Sequence, residues 1–398
     1  MTAMQIALCH RKLGRSSGGI QAWLYHAAEK LLEKGHTVGA FAGPTPEVLP
    51  TDAMPEGVPV TWIEMPRRFR LRGPGFGTYQ RLDVLSRGLD RVTREVDAFW
   101  CRSYLIAWAA ARIARGRPVV FIQTGPESPF WRLLGRTDAW LGRLRLAYRL
   151  RVHNWLESRA MQHVTHLVYQ SEARRAETLG IHGSRFLSKS HIIPTGVNLE
   201  RFRPPDAPRA WDGCLRTLTV CRLSPEKNLA CLIRAVALLK YEKVDIRSVI
   251  VGDGPMRAEW EALAHNLNVH DRVVFVGHQT EVERYYREAD VFVLPSIYEG
   301  LANVLLEAIA SGRPCIAIRK HEPDVLVSAD EIIDHERNGL LVDANSPRLL
   351  ADALRRAFEN PEAVREWQKN ARHTAETRFT WDATVGRILE LCAVPPER

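Results

Sequence analysis

The sequence has no long uninterrupted run of apolar residues. The longest run, "YLIAWAAA" at residues 104–111, is far shorter than the roughly 20 residues that a helix needs to span a membrane. A signal-peptide pattern is also absent, because "MQIALCH" leads directly into a predicted first strand. These two absences predict a cytoplasmic protein.

Cysteine is sparse and scattered. The seven cysteines form no Cys-x-x-Cys motif and no cluster with histidine, which excludes a zinc site of regular spacing. An odd number without disulfide spacing suits a reducing compartment, so we interpret the cysteines as small buried hydrophobic side chains.

Acidic residues are fewer than basic residues. The chain has 46 acidic residues against 55 lysines and arginines, which gives a net charge of +9 and a pI of about 9.3. Arginines concentrate in residues 66–72, with four in seven positions, and in residues 131–151, with six against one acid. Since no nucleic-acid recognition motif accompanies them, we expect an anionic membrane surface or a phosphorylated acceptor as partner, and no nucleic acid. A helix that packs on the core and exposes a solvated basic face is the alternative for residues 131–151.

Short β-branched apolar runs alternate with helical patterns along the chain. This alternation predicts an α/β protein with parallel sheets, and a length of 398 residues suits two domains. Four prolines between Pro194 and Pro208 mark the boundary. We expect Rossmann-like domains over residues 1–195 and 196–377, with a last helix within 378–398. Because open parallel sheets bind ligands beyond the carboxyl ends of their strands, both domains should direct loops into a deep cleft between them.

The stretch "PSIYEGLANVLLEAIASGRP" contains two glutamates at a strand-to-helix junction. Its apolar spacing predicts a helix from Leu301 that ends at Gly312. Glu299 then lies in the turn before the helix and Glu307 lies inside it. The free amides of residues 301–304 suit a phosphate, although an acid before a helix is on its own more often a plain cap.

Three further loops follow predicted strands. "CRLSPEKN" places Arg222 and Lys227 where they could clamp a pyrophosphate, with a solvated salt-bridged turn as the alternative. "VGDGP", which contains Gly252, is a tight turn into a helix. "GRSSGG", which contains Gly18 and Gly19, is neither a P-loop nor a dinucleotide-binding motif, and it could be a simple flexible turn.

These motifs, together with "IIPTGVNLERFRP" and "NGLLVD", occur in the order seen in family 4 glycosyltransferases. The chain resembles that family from Gln5 to about Phe379, most strongly in its second half. The resemblance implies a GT-B fold and retaining transfer from a nucleotide sugar. The glycine-rich opening and an altered loop in the first half are similar to the lipopolysaccharide-core glucosyltransferase branch.

The resemblance assigns roles to individual residues. Arg222 and Lys227 would hold the donor diphosphate and stabilise the departing nucleotide, while Glu299 would contact hydroxyls of the donor sugar. Glu307 would bind the nucleotide ribose. The remaining donor contacts implied in this way are Gly19, Gly252, Gly300, Leu301, Ala302 and Asn303.

One feature of the first half departs from the family pattern. Many members carry a histidine after the strand in "PVVFIQTGPES", where this chain has Gln123 followed by Thr124. We expect Gly18, Gln123 and Thr124 to contact the acceptor or the sugar. The resemblance also implies that the last helix crosses back onto the first domain.

No Asp-x-Asp motif occurs, and many sugar transferases of another fold use that motif to bind Mg²⁺. We therefore expect metal-independent transfer with no cofactor. The expected donor is a UDP-sugar. The expected acceptor is a glycolipid, a polysaccharide or a lipopolysaccharide-core intermediate at the inner face of the cytoplasmic membrane. A small soluble acceptor is one alternative, and a non-catalytic binding protein with the same fold is another.

Overall fold

The computed structural model describes residues 2–10, 19–43, 54–63, 78–123, 140–207, 209–322 and 324–393. The basic segment 66–72, the residues 131–139, Gly18 and Thr124 lie outside these ranges. The chain divides into two compact units. Unit 1 comprises Met1–Thr195 together with Trp381–Arg398, and unit 2 comprises Gly196–Thr380.

The sheet of unit 1 is parallel between all its paired strands. Its strands are β1 (Gln5–His10), β2 (Thr37–Ala42), β3 (Val60–Trp62), β4 (Ala98–Cys101), β5 (Val119–Gln123), β6 (His166–Tyr169) and β7 (Ser190–Ile192). Within the described residues they lie in the order β3-β2-β1-β4-β5-β6-β7. The direction of strand order therefore reverses between β1 and β4.

Helices cover both faces of this sheet. They are α1 (Gly19–Glu33), α2 (Thr78–Val92), α3 (Tyr104–Ile113), α4 (Trp140–His163), α5 (Glu172–His182) and α12 (Trp381–Ala393). Successive residues of β4 alternate between two apolar clusters. Ala98 and Trp100 pack with α1 and α12, while Phe99 and Cys101 pack with α2, α3 and α4. Burial on both faces explains why these strands are continuously apolar.

The last helix, α12, is part of unit 1. The indole Nε1 of Trp100 donates a hydrogen bond to the Sγ of Cys392 over 3.3 Å. Arg387 donates to the backbone carbonyl of Ile192 over 2.8 Å, and Asp382 accepts the ammonium of Lys34 at 2.9 Å. The end of the described chain thus completes the apolar layer that covers one face of the first sheet.

Unit 2 contains a second parallel sheet. Its strands are β8 (Leu215–Val220), β9 (Ile246–Val251), β10 (Val273–Gly277), β11 (Val291–Leu294), β12 (Cys315–Ile318) and β13 (Gly339–Val342). Their order in the described residues is β10-β9-β8-β11-β12-β13. Strand order reverses between β8 and β11, and open α/β sheets bind ligands where such a reversal separates the following loops.

The helices of unit 2 also form two layers. They are α6 (Leu229–Tyr241), α7 (Arg257–Asn266), α8 (Glu283–Glu288), α9 (Asn303–Ala310), α10 (Pro347–Glu359) and α11 (Pro361–Arg378). Local sequence fixes some of their ends. Helix α10 begins at Pro347 and is preceded by the N-cap residue Ser346, whose hydroxyl oxygen accepts from the amide of Leu349.

These two units confirm the predicted α/β architecture with two parallel sheets. Among the described residues, no helix combines the length and apolar character required to cross a membrane.

Candidate functional site

Three of the predicted site residues of unit 2, Arg222, Lys227 and Glu299, lie on two loops at the reversal of strand order. Strands β8 and β11 are direct neighbours, with Thr217 opposite Val291 and Leu218 opposite Phe292. The loop after β8 carries Arg222 and Lys227, and the loop after β11 carries Glu299. Because both strands are parallel, both loops leave the same edge of the sheet.

Lys227 and Glu299 form an ion pair between these loops. The Lys227 ammonium donates to Oε1 of Glu299, and the hydroxyl of Ser296 donates to the same oxygen over 3.2 Å. Burial lowers the pKa of Lys227, but the charge and hydrogen bond of Glu299 more than offset this, so that its pKa is raised. Lys227 therefore stays cationic at neutral pH. A small cavity lined by Ser296 and apolar side chains adjoins Glu299.

Hydrogen bonds tie the two loops together. A short 3-10 helix, Pro225–Lys227, ends at Asn228, which adopts the left-handed conformation with φ of 52° and ψ of 38°. The Asn228 side chain donates to the carbonyl of Pro295 over 3.0 Å. The amide of Ile297 donates to the carbonyl of Glu226 over 2.9 Å. These contacts fix the position of Lys227 relative to Glu299.

The glycine turn after β9 supports the loop that carries Arg222. Gly252 has a φ of +133°, and a Cβ there would lie 1.8 Å from the carbonyl oxygen of Cys221. A Cβ on Gly254 would lie 2.4 Å from the carbonyl oxygen of Leu223. The amide of Leu223 donates to the carbonyl of Asp253 over 2.9 Å. Close backbone packing thus explains the glycines, while a donor contact by Gly252 stays a prediction.

Arg222 is exposed beside this turn. Across the ranges that the structure describes, its guanidinium forms no ion pair. The side chain can therefore turn toward an anion without first breaking a contact with a carboxylate.

The amino terminus of α9 follows Glu299 and Gly300. The helix begins at Asn303, two residues later than the apolar pattern from Leu301 predicts, and its N-cap residue Ala302 provides no side-chain cap. The hydroxyl of Ser328 donates to the carbonyl of Gly300 over 2.5 Å and holds the turn. First-turn amides without a side-chain cap are suited to bind a phosphate oxygen.

Glu307 lies inside α9 and contacts an aromatic residue that the sequence analysis did not single out. The hydroxyl of Tyr286 donates to Oε2 of Glu307 over 2.9 Å. Burial raises the pKa of Glu307 to about 7, although the Tyr286 hydrogen bond and the charge of Arg201 oppose the shift. Tyr286 is itself fully buried. In the sequence it stands next to Tyr285, and only the packing of α8 shows which of the two faces Glu307.

Gln123 ends strand β5 of unit 1. Its side chain is 2% exposed, and in the described part of the chain its Nε2 has no hydrogen-bond partner. Gly19 is the first residue of α1. The contacts predicted for these residues stay predictions.

Arg102 is a second residue that the sequence analysis missed. It directly follows β4, is 5% exposed and lies over the ring of Trp23, with 4.7 Å between the guanidinium carbon and the ring centroid. Its Nε and Nη1 atoms have no hydrogen-bond partner among the described residues. Burial lowers its pKa to about 9. In the sequence, Arg102 could have been found as an arginine that immediately follows the fully apolar strand "AFWC".

Two sequence models of known families match the chain. "Glycosyltransferase Family 4" matches residues 17–201, and "Glycosyl transferases group 1" matches residues 212–374. The first match covers most of unit 1 and extends six residues into unit 2, and the second match lies within unit 2.

Curated relatives match over shorter ranges. The lipopolysaccharide core biosynthesis glycosyltransferase LpsD of Rhizobium meliloti is 34% identical over 170 residues, which are 43% of this chain and 47% of LpsD. A GDP-mannose-dependent alpha-(1-6)-phosphatidylinositol monomannoside mannosyltransferase of Mycobacterium tuberculosis is 33% identical over 221 residues, 50% of this chain and 54% of that protein. The matched part thus spans about half the length of these relatives.

A solved structure is similar over the whole chain. The crystal structure of Alr3699/HepE from Anabaena in complex with UDP aligns with a TM-score of 0.74 at 19% identity, over 98% of this chain and all of that one. This likeness shows the fold. With the GT-B fold predicted from the motifs thereby confirmed and both halves matched by family models, the chain belongs to the family 4 glycosyltransferases.

Proposed function

We propose that the protein transfers a sugar from a nucleoside-diphosphate sugar to an acceptor, with retention at the anomeric carbon. The observation that carries this proposal is the arrangement at the end of β8 and β11. There a Lys227–Glu299 ion pair, an exposed Arg222 and the first turn of α9 meet at the reversal of strand order.

Each of these groups suits one part of a nucleotide sugar. Arg222 offers a planar fork of donors and Lys227 a point charge, which fit a diphosphate. The Glu299 carboxylate, which accepts from Lys227 and Ser296, is an acceptor suited to a sugar hydroxyl. Glu307 would accept ribose hydroxyls while its position is held by Tyr286.

The proposed chemistry places the developing charge on phosphate. The bond between the anomeric carbon and the diphosphate oxygen breaks, and the acceptor oxygen forms its bond on the same face of the sugar. The acceptor proton passes to the departing phosphate. The cations Arg222 and Lys227 and the amides of α9 stabilise the negative charge that appears in the transition state. We propose that these side chains, rather than Mg²⁺, neutralise the diphosphate.

A UDP-sugar is the proposed donor. UDP is bound in the Alr3699/HepE structure, and the mycobacterial relative is described as GDP-mannose-dependent, so both bases belong in the first screen.

The proposed acceptor is a lipopolysaccharide-core, glycolipid or polysaccharide intermediate at an anionic membrane surface. LpsD is named for lipopolysaccharide core biosynthesis. In unit 1, Tyr79 is 60% exposed, Tyr148 is 63% exposed and Trp155 is 44% exposed. The rings of Tyr79 and Trp155 lie 6.3 Å apart, and the Arg159 guanidinium lies 5.7 Å from the Trp155 ring. Exposed aromatic rings beside arginines suit the headgroup region of an anionic bilayer.

The test is donor binding and turnover by the intact chain. Wild-type protein should bind UDP or GDP in calorimetry and release it from at least one sugar conjugate. Lys227→Ala should weaken binding by about tenfold or more, because a charge-assisted contact is lost. Lys243→Ala, which replaces an exposed lysine on the turn after α6, is the matched control and should bind as wild type does.

If no nucleotide sugar is bound or turned over, the enzymatic proposal is wrong. Activity on a soluble acceptor with no response to anionic vesicles would instead favour a small metabolite as acceptor.

A further inference from the structure

The first sheet has its own reversal of strand order, between β1 and β4. Arg102 follows β4 at this point, and its backbone amide donates to the carbonyl of Cys9 over 3.0 Å. Loops at such a position are where open α/β sheets bind ligands.

The side chain of Arg102 lies on the face covered by α1. Trp100, two residues earlier in the alternating strand, packs in the apolar cluster of α1, and the Arg102 guanidinium lies over Trp23. Trp23 is about one turn from the start of α1 at Gly19. The guanidinium is therefore near the amino-terminal turns of a 15-residue helix, whose free amides and dipole favour an anion.

Other inward-facing arginines of the described residues have acceptors for the guanidinium. Arg174, which is 3% exposed, pairs with Glu177. Arg313 is 6% exposed and donates to the carbonyls of Ala289 and Ser311. Arg117 donates to several backbone carbonyls at the end of α3 and after α2. By contrast, Arg102 is 5% exposed with Nε and Nη1 unpartnered in the described ranges.

A buried guanidinium without an acceptor is unfavourable, since its lost hydration is not replaced. Its pKa of about 9 still leaves it charged at neutral pH. The ring of Trp23 attracts the cation but accepts no conventional hydrogen bond from the two unpartnered nitrogens. An anionic ligand would supply the hydrogen-bond acceptors that the described residues do not.

We propose that Arg102, together with the first turn of α1, binds one anionic group of a substrate, a phosphate or a carboxylate. Which substrate carries this group rests on the proposed function. It is either the acceptor or the donor diphosphate, and the two share the same chemistry.

The experiment measures thermal unfolding of the full chain against inorganic phosphate, with sodium chloride adjusted to constant ionic strength. Wild type and Lys227→Ala should both be stabilised as the phosphate concentration rises, because this variant removes a cation of unit 2 and leaves Arg102 in place. Arg102→Gln should require at least about tenfold more phosphate for the same rise. Arg115→Gln, whose side chain is 75% exposed, is the matched control and should respond as wild type does.

Equal phosphate response in Arg102→Gln and wild type would overturn the proposal. If Arg102→Gln fails to fold, Arg102→Lys decides. This variant keeps the charge but loses the planar guanidinium fork. A stabilisation by phosphate that is smaller than in wild type supports the site, and a stabilisation equal to that of wild type overturns it.

Repeating the titration with saturating UDP identifies the source of the anion. A phosphate response that survives UDP assigns the site to the acceptor, and one that UDP abolishes in wild type assigns it to the donor. If neither UDP nor GDP binds to any variant, the proposed function fails, yet the comparison of Arg102→Gln with wild type in phosphate alone still decides this inference.

Discussion

Replacing Glu307 by glutamine should stabilise unit 2 at alkaline pH and weaken nucleotide binding. The burial that raises the pKa of Glu307 from 4.5 to about 7 acts against its charged form. A glutamine keeps a carbonyl oxygen that can accept from Tyr286 and has no charge to bury. The variant therefore removes an unfavourable charge while preserving the packing of α9.

The sign and size of the effect follow from linkage. Because the folded state holds the proton more tightly, the contribution of Glu307 to stability is complete below pH 4.5 and is lost as the pH rises through about 7. A shift from 4.5 to about 7 corresponds to at most about 3 kcal/mol. Since Glu307 keeps partial contact with solvent, we expect about 1–2 kcal/mol, or roughly 3–6 °C in Tm for a unit of this size.

The assay compares wild type and Glu307→Gln by thermal unfolding from pH 5 to pH 8.5. The gain in Tm of the variant should be small at pH 5, grow toward pH 7 and then level off. A gain that is constant with pH, or a loss that grows with pH, would refute the reasoning.

Nucleotide binding supplies the second half of this prediction. Ribose hydroxyls donate to the ionised carboxylate, so the affinity of wild type for UDP should increase as the pH rises through 7. Glu307→Gln should bind more weakly and with little pH dependence. A variant that is more stable but binds less well would identify Glu307 as a functional rather than a structural residue.

Three further changes test other parts of the structure. Glu299→Gln should leave nucleotide affinity within a few-fold and reduce sugar release by about tenfold or more, as judged from separate binding and turnover measurements. Gly252→Ala should destabilise unit 2 by about 2 kcal/mol or more in chemical denaturation, because its Cβ would meet a backbone oxygen at 1.8 Å. Gly180→Ala, where a Cβ meets nothing within 4 Å, is its control and should be neutral or stabilising. Replacing Tyr148 and Trp155 by alanine should reduce co-sedimentation with anionic vesicles, and no binding of wild type to such vesicles would refute the membrane proposal.

The sequence allowed the α/β class and the parallel sheets to be predicted because strands buried on both faces are apolar throughout. It also placed Arg222, Lys227 and Glu299 after strands. Their proximity could not be read from the chain, in which Lys227 and Glu299 are 72 positions apart. That contact depends on β8 pairing with β11 rather than with β10, and strand order is set by how whole βα units pack.

The partners of the site were harder to predict than its charged residues. Tyr286 orients Glu307 from helix α8, where two adjacent tyrosines have the same helix-forming preference and only the packing against β11 selects one. The start of α9 at Asn303 rather than Leu301 has a similar origin, since hydrogen bonds of Gly300 and Glu299 to residues 326–328 hold the preceding turn extended. Local patterns carry no information about such long-range contacts.

The cations at the two reversals of strand order have different surroundings, and this difference affects how each reversal should respond to an anion. At the reversal in unit 2, Lys227 has a carboxylate partner and Arg222 is exposed, so neither charge is buried without a counter-charge or solvent. At the reversal in unit 1, Arg102 is buried with two donors unpartnered in the described residues. The arrangement in unit 2 needs no ligand to compensate its charges, and the Lys227 ammonium can leave Glu299 to contact a phosphate. In unit 1, a bound anion would supply acceptors for the guanidinium of Arg102. Unit 1 should therefore bind the anion more tightly than unit 2 and gain more stability from it at equal anion concentration.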